Sequence, residues 1–347
     1  MFLMTIKLNL LTENYAEKFN LSIIIPMFNE YKVLPLCLKR INNVVKNLDI
    51  TTELVFIDDG SDDGGAEYLE KQSSIHSSLK IVKLSRNFGK EAALTAGLDY
   101  AKGEAVIILD ADLQDPPELI PKMIEQWQSG VDVVLMQRRT RAGETWLKRA
   151  SAYLFYRLLQ RTSRLNIPMD TGDFRLMSRR AVDALKQLPE RNRFMKGLFA
   201  WVGMPTVVLK YDREPRAAGS TKWGYLGLIQ LAMEGITSFS ISPLRWVMVL
   251  GLLAALIGGS FGITIIFKAL LFGNIVHGYP SLIAIITFLG GVQLLSIGVV
   301  GEYVGKTYIE SKQRPNYLIS EISQIPEVKN KTNHNQIKNG ENYAKAP

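Results

Sequence analysis

The chain has 347 residues, a single cysteine and a formal net charge of +8. One cysteine excludes an intramolecular disulfide and a cysteine-rich metal site, and the length allows one large domain or two smaller ones. Long uncharged runs lie in the last third of the chain. With such segments present, the positive charge points to anionic lipid headgroups and phosphorylated substrates, and not to nucleic acid.

Short apolar runs alternate with helical patterns over the first 140 residues. The runs are rich in β-branched residues and end in polar turns, which predicts buried strands at 21–26, 53–57, 80–84, 106–109 and 131–136. A helix predicted over 31–48 contains Cys37 as a buried structural thiol, and a later one covers 91–101. Strands and helices that alternate imply right-handed crossovers, so we expect an α/β domain with a mainly parallel sheet, in which 206–211 is the last soluble strand.

Two carboxylates follow the fourth of these runs. Asp110 and Asp112 come directly after 106–109, and on an extended backbone residues two apart point to the same side. Two such oxygen ligands suit a hard divalent cation, with a substrate phosphate completing the shell. The carboxyl ends of parallel strands are also where ligands bind. A solvated turn is the alternative, because Asp and Pro are common in loops.

Two glycine-containing turns do not match known phosphate-binding loops. Gly60 to Gly65 reads GSDDGG, which is not the dinucleotide pattern GxGxxG. Gly89-Lys90 lacks the earlier glycine that a P-loop requires. A dinucleotide dehydrogenase and a P-loop NTPase are therefore disfavoured.

The last third of the chain predicts two membrane spans. Residues 246–267 and 282–301 contain no charged residue and are long enough to cross a bilayer. Arg245 precedes the first span, and basic residues beginning with Lys306 follow the second, so both flanks are expected to be cytoplasmic. Neither span has a central acid or base, which argues against an ion pathway. Two buried core helices are the alternative.

Further segments flank these spans. The basic amphipathic stretch 146–164 suits either a membrane interface or an ordinary surface helix, and 225–239 is a second such stretch. Glycine pairs at 258–259 and 290–291 fit close helix packing within or between chains, and make a homo-oligomer plausible. The segment 329–347 is rich in Asn and Lys and is expected to be a disordered tail.

Six motifs occur in order along the chain. They are IPMFNE at 25–30, IDDGSDDG at 57–64, SRNFGKE at 85–91, LDADLQDPPE at 109–118, TGDFRL at 171–176 and the segment 216–223. With these motifs the chain resembles the polyisoprenyl-phosphate glycosyltransferases of glycosyltransferase family 2. This group includes dolichyl-phosphate mannose synthases, and the resemblance is greatest to bacterial bactoprenol (undecaprenyl-phosphate) glucosyltransferases. It runs from about Leu21 to Pro315 and includes both spans.

The resemblance implies an inverting transferase with a GT-A (Rossmann-like) fold in the bacterial inner membrane, its catalytic domain cytoplasmic. The donor would be a UDP-hexose, above all UDP-glucose, and the acceptor a polyprenyl phosphate, in O-antigen or cell-envelope glycosylation. The implied segments are an N-terminal extension (1–20), the GT-A domain (21–222), a juxtamembrane helix (223–243), two transmembrane helices (244–305) and a cytoplasmic tail (306–347).

The resemblance also implies roles for individual residues. The nucleotide site would comprise Pro26, Phe28, Glu30, Asp58, Asp59, Lys90, Asp110 and Ala111. Mg²⁺ or Mn²⁺ would be held by Asp110, Asp112 and Gln114. The lipid phosphate would be bound by Arg138, Arg175, Arg216 and Lys222, and the catalytic set would be Asp112, Asp173 and Arg138.

A lipid monophosphate has a second pKa of about 6 and is already anionic at neutral pH, so a strong general base is dispensable. We therefore hypothesise that Asp173 orients the cations or the sugar and does not act mainly as a base. Arginine forks match phosphate oxygens and suit the task of bringing two anions together.

Two other functions remain open at this point. A processive polysaccharide synthase shares the GT-A domain but needs more spans and a QxxRW motif, and here Ser242 stands at the glutamine position. A membrane-anchored nucleotide-sugar sensor would be expected to have lost its carboxylates, and all of them are present. The identity of the sugar depends on a few hydroxyl contacts that no motif specifies.

Overall fold

The computed structural model describes residues 20–73, 78–139, 157, 168, 170–215, 234–272 and 278–323. The strands are β1 (Leu21–Met27), β2 (Thr52–Asp58), β3 (Leu79–Leu84), β4 (Ala105–Ile108), β5 (Val133–Arg138), β6 (Thr171–Ser178), β7 (Thr206–Tyr211) and β8 (Ile319–Ser323). The helices are α1 (Leu34–Val45), α2 (Gly65–Ser73), α3 (Lys90–Tyr100), α4 (Ile120–Gln128), α5 (Arg179–Lys186), α6 (Met195–Trp201), α7 (Ser242–Phe272) and α8 (Tyr279–Lys312).

All eight strands form one sheet, in the order β7-β5-β6-β4-β1-β2-β3-β8. The central strand β1 is parallel to β2 and β4, β3 is parallel to β2, and β7 is parallel to β5. Strand β6 runs antiparallel to β4 and β5, and β8 runs antiparallel to β3. The predicted α/β class with a mainly parallel sheet is confirmed, with two strands reversed.

Strand β1 shows why helices cover both faces of the sheet. Ile23 and Ile25 pack on the side of α1, whereas Ile24 packs on the side of α3, and all three are fully buried. Successive strand residues point to opposite faces, so a strand with apolar residues on both faces needs a helical layer on each side. Cys37 of α1 lies in the first layer as predicted, and burial, followed by the nearby charge of Asp112, raises the pKa of its thiol to about 12.

The sequence did not reveal β6 and β8 as strands. Strand β6 lies within a segment dense in charged residues, and its pairing with β4 and β5 decides its conformation. Strand β8 follows both long helices and pairs with β3 at the edge of the sheet. The expectation that 206–211 is the last strand of the soluble part is therefore wrong. Part of the range 306–347 adds to the sheet, because backbone pairing can recruit a polar segment without an apolar pattern.

Helices α7 and α8 contain the two predicted spans. Their candidate membrane spans are Ser242–Lys268 and Phe288–Lys312, whose most apolar windows have mean hydropathies of 2.3 and 1.4. Neither window is buried within the structure. They are therefore not core helices of the part of the chain that the structure describes, and by length and composition each can cross a bilayer.

The glycine pairs of α7 and α8 have open surroundings in one copy of the chain. An added Cβ at Gly258, Gly259, Gly290 or Gly291 would meet no atom of the described residues within 4 Å. The pairs therefore mediate no close contact between the two helices of one chain. Packing between chains stays a prediction.

The C-terminal part of α8 is held against the α/β domain. The Glu310 carboxylate accepts backbone N–H groups of Arg191 (2.9 Å) and Asn192 (2.9 Å). The Lys306 ammonium donates to Ser238 Oγ at 3.1 Å. Because α7 and α8 both join the domain at this end, the two helices form a hairpin whose base lies against it.

Candidate active site

The polar ends of the strands meet at one edge of the sheet, as the strand order predicts. Strands β1, β2, β4 and β5 end there, and antiparallel β6 begins there. The register pairs Ile108 of β4 with Arg175 of β6. Asp110 lies two residues after Ile108 and Asp173 two residues before Arg175, so the two carboxylates lie on neighbouring segments at this edge. With Lys90 from the loop after β3, this edge collects residues from five of the six motifs.

The loops that follow β1 and β2 are hydrogen-bonded to each other. The Asn29 N–H donates to Ser61 Oγ at 3.0 Å, and the Asp62 N–H donates to Asn29 Oδ1 at 3.0 Å. Asn29 adopts a left-handed conformation with φ 54°, which asparagine tolerates better than most residues. The residues of this loop predicted to line the nucleotide site are half-buried: Pro26, Phe28 and Glu30.

Asp59 shapes the turn from which α3 begins. Its Oδ1 accepts the Phe88 N–H at 2.7 Å and its Oδ2 accepts the Gly89 N–H at 2.9 Å. Burial raises the pKa of Asp59, and also that of its neighbour Asp58. We interpret Asp59 as a residue that holds Lys90 in place, and contact of either aspartate with a base or ribose stays a prediction.

Gly60 allows the loops after β2 and β3 to approach closely. It has a φ of +73°, and an added Cβ would lie 2.6 Å from the carbonyl carbon of Arg86. Only glycine suits both the positive φ and this approach.

The Lys90 ammonium lies between two carboxylates. Its Nζ is 2.7 Å from Oδ1 of Asp110 and 2.7 Å from Oδ2 of Asp173, although the side chain keeps 45% of its surface exposed. Burial disfavours the charge, but the two carboxylates outweigh it and raise the pKa of Lys90. Burial would likewise raise the pKa of Asp173, but the charges of Lys90 and Lys196 outweigh it and hold that pKa far below its usual range. Asp173 is thus an anion at neutral pH and a poor proton acceptor.

Asp110 and Asp112 lie in a turn and not on extended backbone. Strand β4 ends at Ile108, and Leu113 has a φ of 57°. The alternation of side chains along a strand does not apply there, which corrects the geometric basis of their predicted convergence. Asp110 faces Lys90, whereas Asp112 is buried and its Oδ1 accepts the Gln114 N–H at 3.1 Å.

The oxygen donors of this turn fit a hard divalent cation that binds together with a ligand. The turn offers two carboxylates and the amide oxygen of Gln114. In the part of the chain that the structure describes, no group of three or more His, Cys, Asp or Glu side chains could hold a metal unaided. Mg²⁺ is commonly held by one or two carboxylates, with substrate phosphates and water completing the shell. The donor set therefore matches an open metal site.

A buried cluster of Tyr211 and Asp115, which the sequence pattern did not indicate, contacts Arg138. The Tyr211 hydroxyl donates to Asp115 Oδ1, and Arg138 Nε donates to the Tyr211 oxygen at 3.5 Å. Burial, followed by the charge of Asp110, raises the pKa of Asp115. Asp115 Oδ2 has no hydrogen-bond partner among the described residues. The only sequence signal was that Asp115 belongs to the LQDPPE segment.

Arg138 also reaches the start of β6. An added Cβ at Gly172 would lie 3.0 Å from Arg138 Nη2, so the guanidinium lies against the backbone next to Asp173. Arg138 is thus brought to the same edge of the sheet as Lys90. Its contact with a lipid phosphate stays a prediction.

Arg175 is buried, and its contacts are structural. Its Nη2 donates to the Gly172 carbonyl at 2.7 Å, and its guanidinium stacks 3.8 Å from the centre of the Phe199 ring. Burial lowers its pKa to about 10. Direct binding of a lipid phosphate does not fit an arginine that is 3% exposed, and it supports the backbone that carries Asp173 instead. The other predicted ligands of that phosphate, Arg216 and Lys222, lie outside the described residues. Most of the two amphipathic stretches, 146–164 and 225–239, also lies outside them.

Glu91 and Lys196 complete the surroundings of Asp173 and were also missed. Glu91 Oε2 accepts the Met195 N–H at 3.0 Å. Burial and the charge of Asp173 raise the pKa of Glu91 to about 7. Lys196 follows Met195 on α6, and no local sequence pattern connects it with Asp173.

Comparison with known proteins agrees with this architecture. The family described as Glycosyl transferase family 2 matches residues 22–186. An uncharacterized glycosyltransferase of Synechocystis sp. is 50% identical over 302 residues, covering 87% of this chain and 95% of that protein. A prophage bactoprenol glucosyl transferase homolog of Escherichia coli is 45% identical over 302 residues (87% and 99%). A bactoprenol glucosyl transferase of Shigella phage SfV is 47% identical over 304 residues (88% and 99%).

Proposed function

The chain belongs to glycosyl transferase family 2, and we propose that it transfers glucose from UDP-glucose to undecaprenyl phosphate at the cytoplasmic face of a bacterial inner membrane. The observation that carries this proposal is similarity over nearly the whole length of bactoprenol glucosyl transferases, at 45% and 47% identity. An aligned length of 302 to 304 residues in a chain of 347 requires the similarity to extend well beyond the matched family domain at 22–186.

The geometry supports a reaction between two anionic substrates. A lipid phosphate and a nucleotide diphosphate repel each other, and the sheet edge offers Lys90 and Arg138 on either side of Asp173. A Mg²⁺ or Mn²⁺ ion held by Asp110, Asp112 and Gln114 would neutralise charge on the departing diphosphate.

The acceptor phosphate oxygen would attack the anomeric carbon directly. One displacement inverts that centre, so an α-linked donor yields a β-linked lipid-phosphate sugar. The nucleophile is already anionic, since the second phosphate pKa is about 6. Asp173 has a pKa held far below that, so it is suited to orient Lys90 and is not suited to remove a proton.

The helical hairpin gives the site access to a lipid. The acceptor tail stays in the bilayer, so the site must lie at the headgroup plane. Glu310 holds the base of α8 to the catalytic domain, and Lys306 holds it to the segment before α7, which would hold the domain at that plane.

The test is transfer of radiolabel into lipid. Membranes containing the protein receive undecaprenyl phosphate, Mg²⁺ or Mn²⁺, and each of several labelled nucleotide sugars, and the lipid is then extracted. We expect label from UDP-glucose in a lipid that mild acid hydrolyses, and none with Asp112→Ala. Label from another sugar would overturn the donor and keep the reaction class. Donor binding without lipid labelling would overturn the transferase and favour a nucleotide-sugar sensor.

A further inference from the structure

Helix α6 connects Glu91, beside the candidate active site, with the base of the helical hairpin. At its start, the Met195 N–H is held by the Glu91 carboxylate at 3.0 Å. Two residues later, an added Cβ at Gly197 would lie 2.2 Å from Cε2 of Phe239. Phe239 lies just before α7, so one short helix touches both the site and the point where the chain approaches the membrane.

Lys196 lies between these two contacts. It directly follows Met195, whose N–H is held by Glu91, and its positive charge favours the ionised forms of both Asp173 and Glu91. The side chain is half-buried. Among the residues that the structure describes, none forms a hydrogen bond or an ion pair with this ammonium.

Lys90 and Arg175, two further cations near Asp173, are already engaged. Lys90 pairs with both Asp110 and Asp173. Arg175 donates to backbone carbonyls and is covered by Phe199. Lys196 is therefore the cation of this group that still has all its donors available to an incoming anion.

We propose that Lys196 binds the phosphate of the lipid acceptor and positions it beside Asp173, an inference that rests on the proposed function. A phosphate attached to a bilayer lipid approaches from the membrane side, and α6 is the element that leads from the base of α7 to Asp173. An ammonium is a compact charge that binds phosphate oxygens without demanding one orientation. It also offsets the repulsion between the phosphate and the Asp173 carboxylate. The nucleotide diphosphate instead has Lys90 and the Asp110–Gln114 turn.

The experiment compares Lys196→Gln and Lys196→Arg with the wild type and with Lys122→Gln, which removes an exposed lysine of α4. For each protein we would measure the KM for undecaprenyl phosphate, and the Kd of UDP-glucose by calorimetry. Loss of one charged hydrogen bond should raise the acceptor KM of Lys196→Gln about tenfold or more, with an unchanged donor Kd. Lys196→Arg should recover most of the loss, and Lys122→Gln should match the wild type.

A second measurement does not need turnover. The wild type should bind undecaprenyl phosphate more tightly than undecaprenol, and Lys196→Gln should lose much of that preference. Lys196→Met, which keeps the aliphatic stem, replaces Lys196→Gln if the latter unfolds.

The outcomes separate the inference from the proposed function. If the wild type transfers glucose and Lys196→Gln keeps its acceptor KM and its phosphate preference, the role of Lys196 is refuted and the function stands. A weaker donor Kd in Lys196→Gln refutes it too, because the lysine would then serve the nucleotide. A wild type that neither transfers sugar nor prefers the phosphorylated lipid refutes both.

Discussion

The Lys90 ammonium pairs with the Asp173 carboxylate at 2.7 Å, across two elements that are distant in the chain. Lys90 begins α3, which packs on β1 and β2. Asp173 lies in β6, which is next to β4 in the sheet. The pair also includes Asp110, so one cation joins the turn after β4 to the start of β6.

Replacing Lys90 by glutamine should lower the rate of transfer by about 100-fold, the usual cost of losing a preorganised charge. Without this cation the pKa of Asp173 rises, so the acid limb of the pH–rate profile should move to higher pH. Rates measured between pH 4 and 8 would show the shift, and Lys90→Arg should retain the wild-type limb. An acid limb that stays in place in Lys90→Gln would contradict the role given to this pair.

Removing the metal should stop transfer, because the carboxylates of the turn after β4 are anionic and cannot neutralise the departing diphosphate without a bound cation. EDTA should abolish lipid labelling, and Mg²⁺ or Mn²⁺ should restore it. Asp112→Asn should raise the metal concentration that gives a half-maximal rate by about 10- to 100-fold or more. Loss of a group that only supports a metal ligand already lowers metal affinity by that factor. Asp62→Asn, an exposed acid of the neighbouring loop, is the control. Full activity in EDTA would show that no metal is needed.

Tyr211→Phe should destabilise the domain and loosen Arg138. The hydroxyl is the donor to buried Asp115, and leaving a buried acceptor unsatisfied costs about 1–3 kcal/mol. Phenylalanine keeps the edge contact with Phe174, whose ring centre is 5.9 Å away. Denaturation midpoints and kcat should both fall. Tyr68→Phe is the control, because its hydroxyl makes no hydrogen bond with the described residues, and an equal effect there would argue against the cluster.

Glu91→Gln should change how stability depends on pH. Burial and Asp173 raise the pKa of Glu91 from 4.5 to about 7 in the folded protein. A carboxyl with a raised folded pKa stabilises the fold fully below its unfolded pKa, and this contribution is lost as the pH rises through 7. The shift corresponds to about 3 kcal/mol at most.

Glutamine keeps an acceptor for the Met195 N–H and does not titrate. Between pH 4.5 and 8, thermal midpoints of the wild type should therefore fall relative to those of Glu91→Gln. Parallel curves for the two proteins would mean that Glu91 titrates normally. Glu125→Gln, at an exposed position of α4, serves as the control substitution.

The sequence by itself determined the class of fold, the two long apolar helices and the family. Apolar runs such as 21–26 and 53–57 became β1 and β2 because a buried strand must be hydrophobic on both faces. That pattern is visible within a few adjacent residues of the sequence. The motif residues were also local signals. They placed Lys90, Asp110 and Asp173 among the site residues before any contact was known.

Tertiary structure alone decided which of these residues meet. The antiparallel register of β6 brings Asp173 to Asp110, and that register depends on pairing between strands far apart in the chain. The same holds for β8, a polar segment recruited by β3, and for Lys196, which is near Asp173 because α6 is fixed by Glu91 and Phe239. Burial likewise assigned Arg175 a structural role. Periodicity records which residues are buried, whereas pairing and charge contacts depend on distances that only the folded chain sets.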